Sequence, residues 1–323
     1  MTDLCGKRIV VTGGGGFLGT AVCRVLERRG VPVGQIVVPR RHAYDLTIES
    51  HVERLYADAR PNLVIHLAAE VGGIGANMGQ PGRFFFANMA MGLHLVEHAR
   101  RNGIEKFVHT GTVCAYPKHC PIPFCEDDLW NGYPEETNAP YGVAKKAIFV
   151  MLDGYRRQYG LASAVTVPVN LYGPGDNFDP TTSHVIPALI RKCEEARLAG
   201  AEEVVCWGTG AATREFLYVD DAAEGIVRAA ERMEEPLPIN LGGGVEITIR
   251  DLVAKIANAC GYVGRIVWDT AKPDGQPRRS LDITRAKTLL GWAPQQDFDT
   301  GLAATVAWWR EQLEEAAGRK PAG

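Results

Sequence analysis

The tightest constraint on this chain is a run of four glycines, Gly13–Gly16, set between an apolar stretch and a helical stripe. The stretch Arg8–Val11 reads as a first strand. The segment Phe17–Arg28 places Leu18, Ala21, Val22, Val25 and Leu26 on one helical face. Gly13, Gly16 and Gly19 fall at G-x-x-G-x-x-G spacing. A strand that turns on glycines straight into a helix lets the backbone approach a ligand closely and aims the helix N-terminus at it, the geometry that binds a pyrophosphate. An ordinary flexible turn needs neither the strand before nor the helix after. The loop therefore predicts a dinucleotide site, with Gly13, Gly16, Phe17, Leu18 and Gly19 lining it.

Strand and helix signals continue to alternate, which predicts an α/β protein: a Rossmann-type doubly wound parallel sheet with a smaller C-terminal α/β lobe. Gln35–Pro39 reads as the second strand. Leu63–Leu67 reads as a buried strand opening into a small-residue loop, Ala68–Gly75, with Ala68 beside the cofactor. A helix is expected over Phe86–Arg101, a strand over Lys106–Thr110, a loop over Pro117–Pro140, a helix over Tyr141–Tyr159 and a sixth strand over Ala164–Val169. Beyond Gly173 the texture changes to turns, a helix over Val185–Leu198 and a strand over Glu203–Trp207. This divides the chain into a dinucleotide domain, 1–172, to which it returns around 214–243, and a mainly substrate-binding lobe, 173–323.

The formal charge of −3 offers no basic field for nucleic acid or an anionic membrane, so an anionic ligand must be met by local cations. No apolar run approaches the roughly 20 residues of a membrane span. Met1–Val11 runs into a strand without the apolar core and cleavage site of a signal peptide, which points to the cytoplasm. The eight cysteines are scattered without a C-x-x-C pair and read as packing thiols in a reducing compartment. The spacing of Cys114, Cys120 and Cys125 suits no common zinc ligand set, so no metal is expected.

An NAD site usually carries an acid about 20 residues beyond the glycines, to bond the ribose 2′-hydroxyl. Between Gly34 and Tyr44 there is none; Arg40 and Arg41 stand there instead. Two guanidiniums suit a 2′-phosphate, so NADP(H) is expected over NAD(H). Asp45 and Leu46 are expected beside the adenine.

Tyr141 and Lys145 lie four residues apart near a helix start, on one face. A nearby ammonium is expected to lower the phenol's pKa so that it trades a proton with a substrate oxygen, while the lysine also holds the nicotinamide ribose. Thr112, just past the strand Lys106–Thr110, would supply a second hydroxyl to the same oxygen.

Together these residues resemble the extended short-chain dehydrogenase/reductase family, and within it the enzymes that epimerise and reduce nucleotide-linked 4-keto-6-deoxy sugars. The resemblance runs along nearly the whole chain: Ala68-Ala69-Glu70-Val71-Gly72-Gly73-Ile74, Cys114-Ala115-Tyr116-Pro117, Asn138-Ala139-Pro140-Tyr141, Asn170-Leu171-Tyr172-Gly173-Pro174, Ser183-His184-Val185-Ile186-Pro187-Ala188-Leu189, Arg214-Glu215-Phe216-Leu217 and Lys272-Pro273-Asp274-Gly275. It implies NADPH-dependent epimerisation at C3 and C5 and reduction at C4 of a GDP-4-keto-6-deoxy-hexose by a homodimer. It gives Thr112, Tyr141 and Lys145 the reductive roles and Cys114 and His184 the epimerising pair. Asn170 falls near the nicotinamide. Asn177, Val185, Leu189, Lys192, Trp207, Arg214 and Lys272 fall to the nucleotide sugar.

Two departures stand out: threonine at 112 where the family usually has serine, and lysine at 192 where arginine is frequent. Arg278 and Arg279, near Lys272, either grip a diphosphate or form a solvated loop. Rival readings are a non-reducing 3,5-epimerase, an NAD-dependent 4-epimerase and a dinucleotide-binding protein without turnover. A 4,6-dehydratase would want Asp-Glu after the active-site hydroxyl, where Val113-Cys114 stand.

Overall fold

A computed structural model of the chain describes residues 1–72, 74–272 and 276–318. The chain alternates from its start through β1 (Ile9–Thr12), α1 (Phe17–Arg28), β2 (Ile36–Val37), α2 (Glu49–Ala59), β3 (Leu63–His66), α3 (Ile74–Gly79), α4 (Pro81–Arg101), β4 (Lys106–Thr110), α5 (Ala139–Tyr159) and β5 (Ala162–Pro168). It continues through β6 (Asn170–Tyr172), α6 (Val185–Ala199), β7 (Glu203–Trp207), β8 (Thr213–Tyr218), α7 (Val219–Arg232), β9 (Pro238–Leu241), β10 (Glu246–Thr248), α8 (Ile249–Cys260), β11 (Arg265–Asp269) and α9 (Phe298–Gly318).

The main sheet has the order β2-β1-β3-β4-β5-β9, every neighbouring pair parallel. Strands β1, β3 and β4 are buried along their whole length, as a parallel sheet covered on both faces requires. Helices α1 and α7 pack together, as do α2, α4 and α5. The order doubles back between β1 and β3, the point at which such sheets open a crevice beyond their strand ends. In the register, Thr12 stands beside His66 and His66 beside His109, so the loops after β1, β3 and β4 leave one edge together.

Two small sheets make up the rest. β8 lies between β10 (antiparallel) and β6 (parallel), and β7 pairs with β11. A second core gathers there around Ile186, Ile190, Leu252, Ile256, Leu302 and Val306. The sequence division at 172/173 falls at the end of β6, which pairs with β8 outside the main sheet, while α7 and β9 pack on or join the main sheet. All eight cysteines are free, with Cys193, Cys206 and Cys260 in the second core. No described helix is long and apolar enough to cross a membrane.

Several element boundaries differ from the sequence expectation. The expected strand Gln35–Pro39 shrinks to two residues, because Pro32 and Gly34 bend Val33–Gln35 into a 3₁₀ turn. The expected loop Ala68–Gly75 gives way to α3 at Ile74. Helix α4 begins five residues before Phe86, on Pro81, whose fixed φ and missing N–H suit a first turn. Of the expected sixth strand Ala164–Val169, all but Val169 lies in the fifth strand, Ala162–Pro168. Helix α2 was not foreseen, although its buried Val52, Leu55, Tyr56 and Ala59 follow helical spacing.

Candidate active site

At the glycine loop, Gly13 has φ of 73°, and a Cβ there would lie 2.9 Å from Ala68 N. Both the left-handed backbone and the contact with the loop after β3 call for glycine. Ala68 N donates to Thr12 Oγ1 (3.3 Å), and that hydroxyl pairs with His66 Nδ1 (2.8 Å), which stitches the two strand ends together. Gly16 is the N-cap of α1, with no side-chain cap and no acid in the first turn. Phe17 and Leu18 are half-buried there and Gly19 is buried. The amides of an uncapped, acid-free first turn suit an anion, so this cradle fits a dinucleotide pyrophosphate.

The two arginines beyond β2 part company. Arg40 folds back over the loop, where a Cβ on Gly15 would collide with its Nη1. Arg41 Nη2 instead donates to Glu70 Oε1 (2.9 Å), a carboxylate that Arg83 also holds through Nε (2.7 Å) and Nη2 (2.6 Å). The expectation that both guanidiniums stand ready for a 2′-phosphate is therefore met by Arg40, while Arg41 is already paired. Segment 34–44 has no acid, but the fold delivers one from the loop after β3. The guanidinium of Arg83 above all, and that of Arg41, hold Glu70 below its ordinary pKa despite partial burial. Asp45 uses its carboxylate on its own turn, accepting from Thr47 N (2.9 Å) and Oγ1 (2.7 Å), and Leu46 is buried.

Thr112, Cys114 and Tyr141 converge. Thr112 Oγ1 accepts from Cys114 N (3.2 Å) at the start of a 3₁₀ turn over Val113–Ala115. The first turn of α5 rests on that same backbone: a Cβ on Gly142 would lie 2.2 Å from Cys114 O, so no larger residue fits without a shift. This contact, which spacing alone did not reveal, sets Tyr141 beside the thiol and within a hydrogen bond of Thr112.

Lys145 is buried and donates from Nζ to Thr110 O (3.0 Å). The lowered phenol pKa expected of Tyr141 is not found. Burial raises it, the Cys114 thiol adds to the rise, and the bond with Thr112 opposes it. Burial also lowers Lys145 to about 7, and its Nζ is aimed at a backbone carbonyl.

His184 is the N-cap residue of α6 yet makes no capping hydrogen bond. Its surface is exposed, while the protein packed around it still lowers its pKa by desolvation. Among the described residues it makes no direct bond to Thr112, Cys114 or Tyr141. Asn170 Nδ2 donates to Glu215 O (3.1 Å), tying β6 to β8. Asn177 closes its own turn through Thr182 Oγ1 (2.9 Å) and Asp179 N (3.0 Å).

In the lobe, Trp207 at the end of β7 is 68% exposed, and Lys272 Nζ stands 5.4 Å from its ring centroid. Lys192 Nζ donates to Val205 O (2.7 Å) on the same strand. Val185 is half-buried and Leu189 buried on α6. Gly73 and Pro273-Asp274-Gly275, parts of the quoted motifs, lie outside the described residues. Arg214 Nη1 donates to Gln276 O (2.6 Å). Arg278 is paired to Glu246 (2.6 Å), while Arg279 reaches the Cys114 thiol. Sequence reasoning grouped Arg278 and Arg279 together, because adjacent residues carry no mark of which way each turns.

The profile of the NAD dependent epimerase/dehydratase family matches residues 9–242. The chain is similar to GDP-L-fucose synthase of Escherichia coli (strain K12), with 40% identity over 97% of this chain and 99% of that protein. It is similar to GDP-L-fucose synthase 1 of Arabidopsis thaliana, with 39% identity over 97% of this chain and 96% of the plant protein. A crystal structure of a GDP-L-fucose synthetase from Naegleria fowleri bound to NADP superposes with a TM-score of 0.87 at 26% identity, covering 97% of this chain and 96% of the other.

Proposed function

The chain belongs to the NAD dependent epimerase/dehydratase family, and from that premise we propose that it is an NADP-dependent epimerase and reductase that makes GDP-L-fucose from a GDP-4-keto-6-deoxy-hexose. The observation that carries this reading is the cluster of Cys114 with Thr112 and Tyr141. A plain reductase or a 4-epimerase has no use for a thiol at the reacting carbon's edge. The parallel-sheet half would hold the dinucleotide and the smaller lobe the GDP group.

The α1 N-terminus and Arg40 fit the phosphates of NADPH, which supplies a hydride to the sugar C4. The C4 ketone acidifies the protons at C3 and C5, because the enolate places its charge on the C4 oxygen. Thr112 accepts from Cys114 N and keeps its own hydroxyl proton to donate to that oxygen. Tyr141, its phenol raised by burial, stays protonated at neutral pH and donates beside it, then gives that proton to oxygen when C4 is reduced. Lys145 would hold the nicotinamide ribose. Cys114 and His184 exchange protons on opposite faces of C3 and C5: one takes the proton, the other returns one, and the centre inverts. Trp207, Lys272, Lys192 and Arg214 receive the GDP group.

Helices α4 and α5 pack together and leave Phe86, Leu93 and Val150 exposed, an apolar face on which we place a homodimer. Eight free thiols suit a cytoplasmic enzyme.

The test is incubation of the purified protein with NADPH and GDP-4-keto-6-deoxy-mannose, following cofactor oxidation and product stereochemistry. Oxidation with GDP-L-fucose as product supports the reading. Epimerised ketone without oxidation makes it a non-reducing epimerase, and interconversion at C4 with catalytic NAD makes it a 4-epimerase.

A further inference from the structure

Resting on the reading of Cys114 as one of the two proton-exchanging groups, we propose that Arg279 is a positioning residue that sets a positive charge against the Cys114 sulfur to stabilise negative charge there during proton exchange. Arg279 Nη1 donates to Cys114 Sγ at 3.7 Å. The Tyr141 phenol and this guanidinium both bear on the thiol, and of the two only the guanidinium is charged. A cation against sulfur favours the thiolate, the form that removes a proton.

The contact is built from several directions. Gln276 Oε1 accepts from Arg279 Nε (3.2 Å) and Nη2 (2.8 Å), a fork that leaves Nη1 to face the sulfur. Gln276 Nε2 is anchored on Lys118 O (3.1 Å), four residues beyond Cys114 itself. The backbone carrying Arg279 is pinned on both sides: Thr213 N donates to Pro277 O (2.9 Å), and Phe124 N donates to Ser280 O (2.8 Å). Leu281 N donates to Oε2 of the buried Glu215 (2.7 Å), and Asp282 N to Phe124 O (3.0 Å). A solvated loop arginine has no such frame. Its neighbour Arg278 is turned outward onto Glu246.

The segment thus links two parts of the site. Arg214, from β8, donates to Gln276 O, so the residue that orients Arg279 also carries an arginine assigned to the GDP group. Loss of Gln276 would free Arg279 without removing its charge.

The experiment measures alkylation of Cys114 by iodoacetamide in the full-length protein with NADPH bound, read by mass spectrometry of the tryptic peptide Phe107–Lys118, in which Cys114 is the only cysteine. Arg279→Gln is expected to slow alkylation about ten-fold or more, Gln276→Leu by a smaller factor, and Arg279→Lys is expected to stay close to the parent rate. Solvent deuterium entry at C3 should fall in parallel. In a Cys114→Ser background, Arg279→Gln should bring no further loss of that exchange. Retained NADPH binding shows that the variants are folded.

Unchanged alkylation in Arg279→Gln overturns the proposal. So does a rise in KM for the nucleotide sugar with alkylation unaltered, which would make Arg279 a diphosphate ligand only. Alkylation is read without turnover, so a parent protein that exchanges no substrate proton sinks the epimerase reading and leaves the Arg279 result interpretable.

Discussion

Around the glycine loop the polar atoms already hold one another: Ala68 N on Thr12, Thr12 on His66, Arg41 and Arg83 on Glu70, Lys145 on Thr110. At the ends of β7 and β11 the picture reverses. Trp207 lies open with Lys272 over it, and the surrounding core stops beneath them. The first region hangs from strands buried on both faces, so its geometry is set before any ligand arrives. The second presents surface that a ligand must complete. Preorganised groups can serve a transition state without moving, whereas exposed ones contribute mainly to holding the substrate.

That contrast breaks if changes to the proton-donating groups beside the first region alter only affinity, or changes in the second alter turnover. The largest effect is expected from Tyr141→Phe, which removes the donor to the C4 oxygen. Its kcat for NADPH oxidation should fall by about a thousand-fold with KM little changed, as read by stopped flow. A rise in KM at full kcat would place Tyr141 among the binding residues instead. Next, Cys114→Ser should cut solvent deuterium entry at C3 and C5 by about a hundred-fold, far more than it cuts hydride transfer.

Trp207→Ala sharpens the other side. We expect KM for the nucleotide sugar to rise about ten-fold with kcat and thermal midpoint nearly unchanged, because the ring is exposed and supports no core. Within the cofactor region, Arg40→Ala should weaken NADPH binding by several-fold more than Arg41→Ala, measured by calorimetry, since Arg41 is already committed to Glu70. Equal losses would mean that Glu70 yields Arg41 when cofactor binds.

The smallest effect concerns the junction. Asp176 is buried with Oδ2 unpartnered, one residue from Gly175, which approaches Phe17 of the glycine loop. Burial raises its pKa to about 7, so between about pH 4 and 7 the folded protein keeps a proton that the unfolded chain releases. Stability contributed by this group is therefore lost as pH rises through that window. Asp176→Asn should raise the melting midpoint by a few degrees at pH 8, a gain on the order of 1 kcal/mol, and leave it nearly unchanged at pH 4. An equal gain at both values would trace the effect to packing rather than charge.

Much of this was legible along the chain. The glycine spacing, the strand before it and the apolar face of Phe17–Arg28 are local patterns, and local patterns survive in a one-dimensional reading. So did the Tyr141–Lys145 spacing. Its electrostatics did not: the expected lowering of the phenol rested on a nearby cation alone, and burial of both groups reversed the sign. Arg40 and Arg41 looked alike as neighbours, yet one crosses Gly15 while the other meets a carboxylate 29 positions away. The missed α2 differs in kind, because its spacing was present to be read.

By itself, the order of residues determined a parallel α/β sheet with a phosphate-binding turn at its first strand, since periodicity and glycine placement act over a few residues at a time. Which charges meet was decided only by the tertiary structure. Arg279 and Cys114 are separated by 165 positions, and only the pinning of segment 276–282 against β8 and the Phe124 backbone brings guanidinium to sulfur. Burial and contact depend on what the fold sets side by side, and no spacing along a chain encodes them.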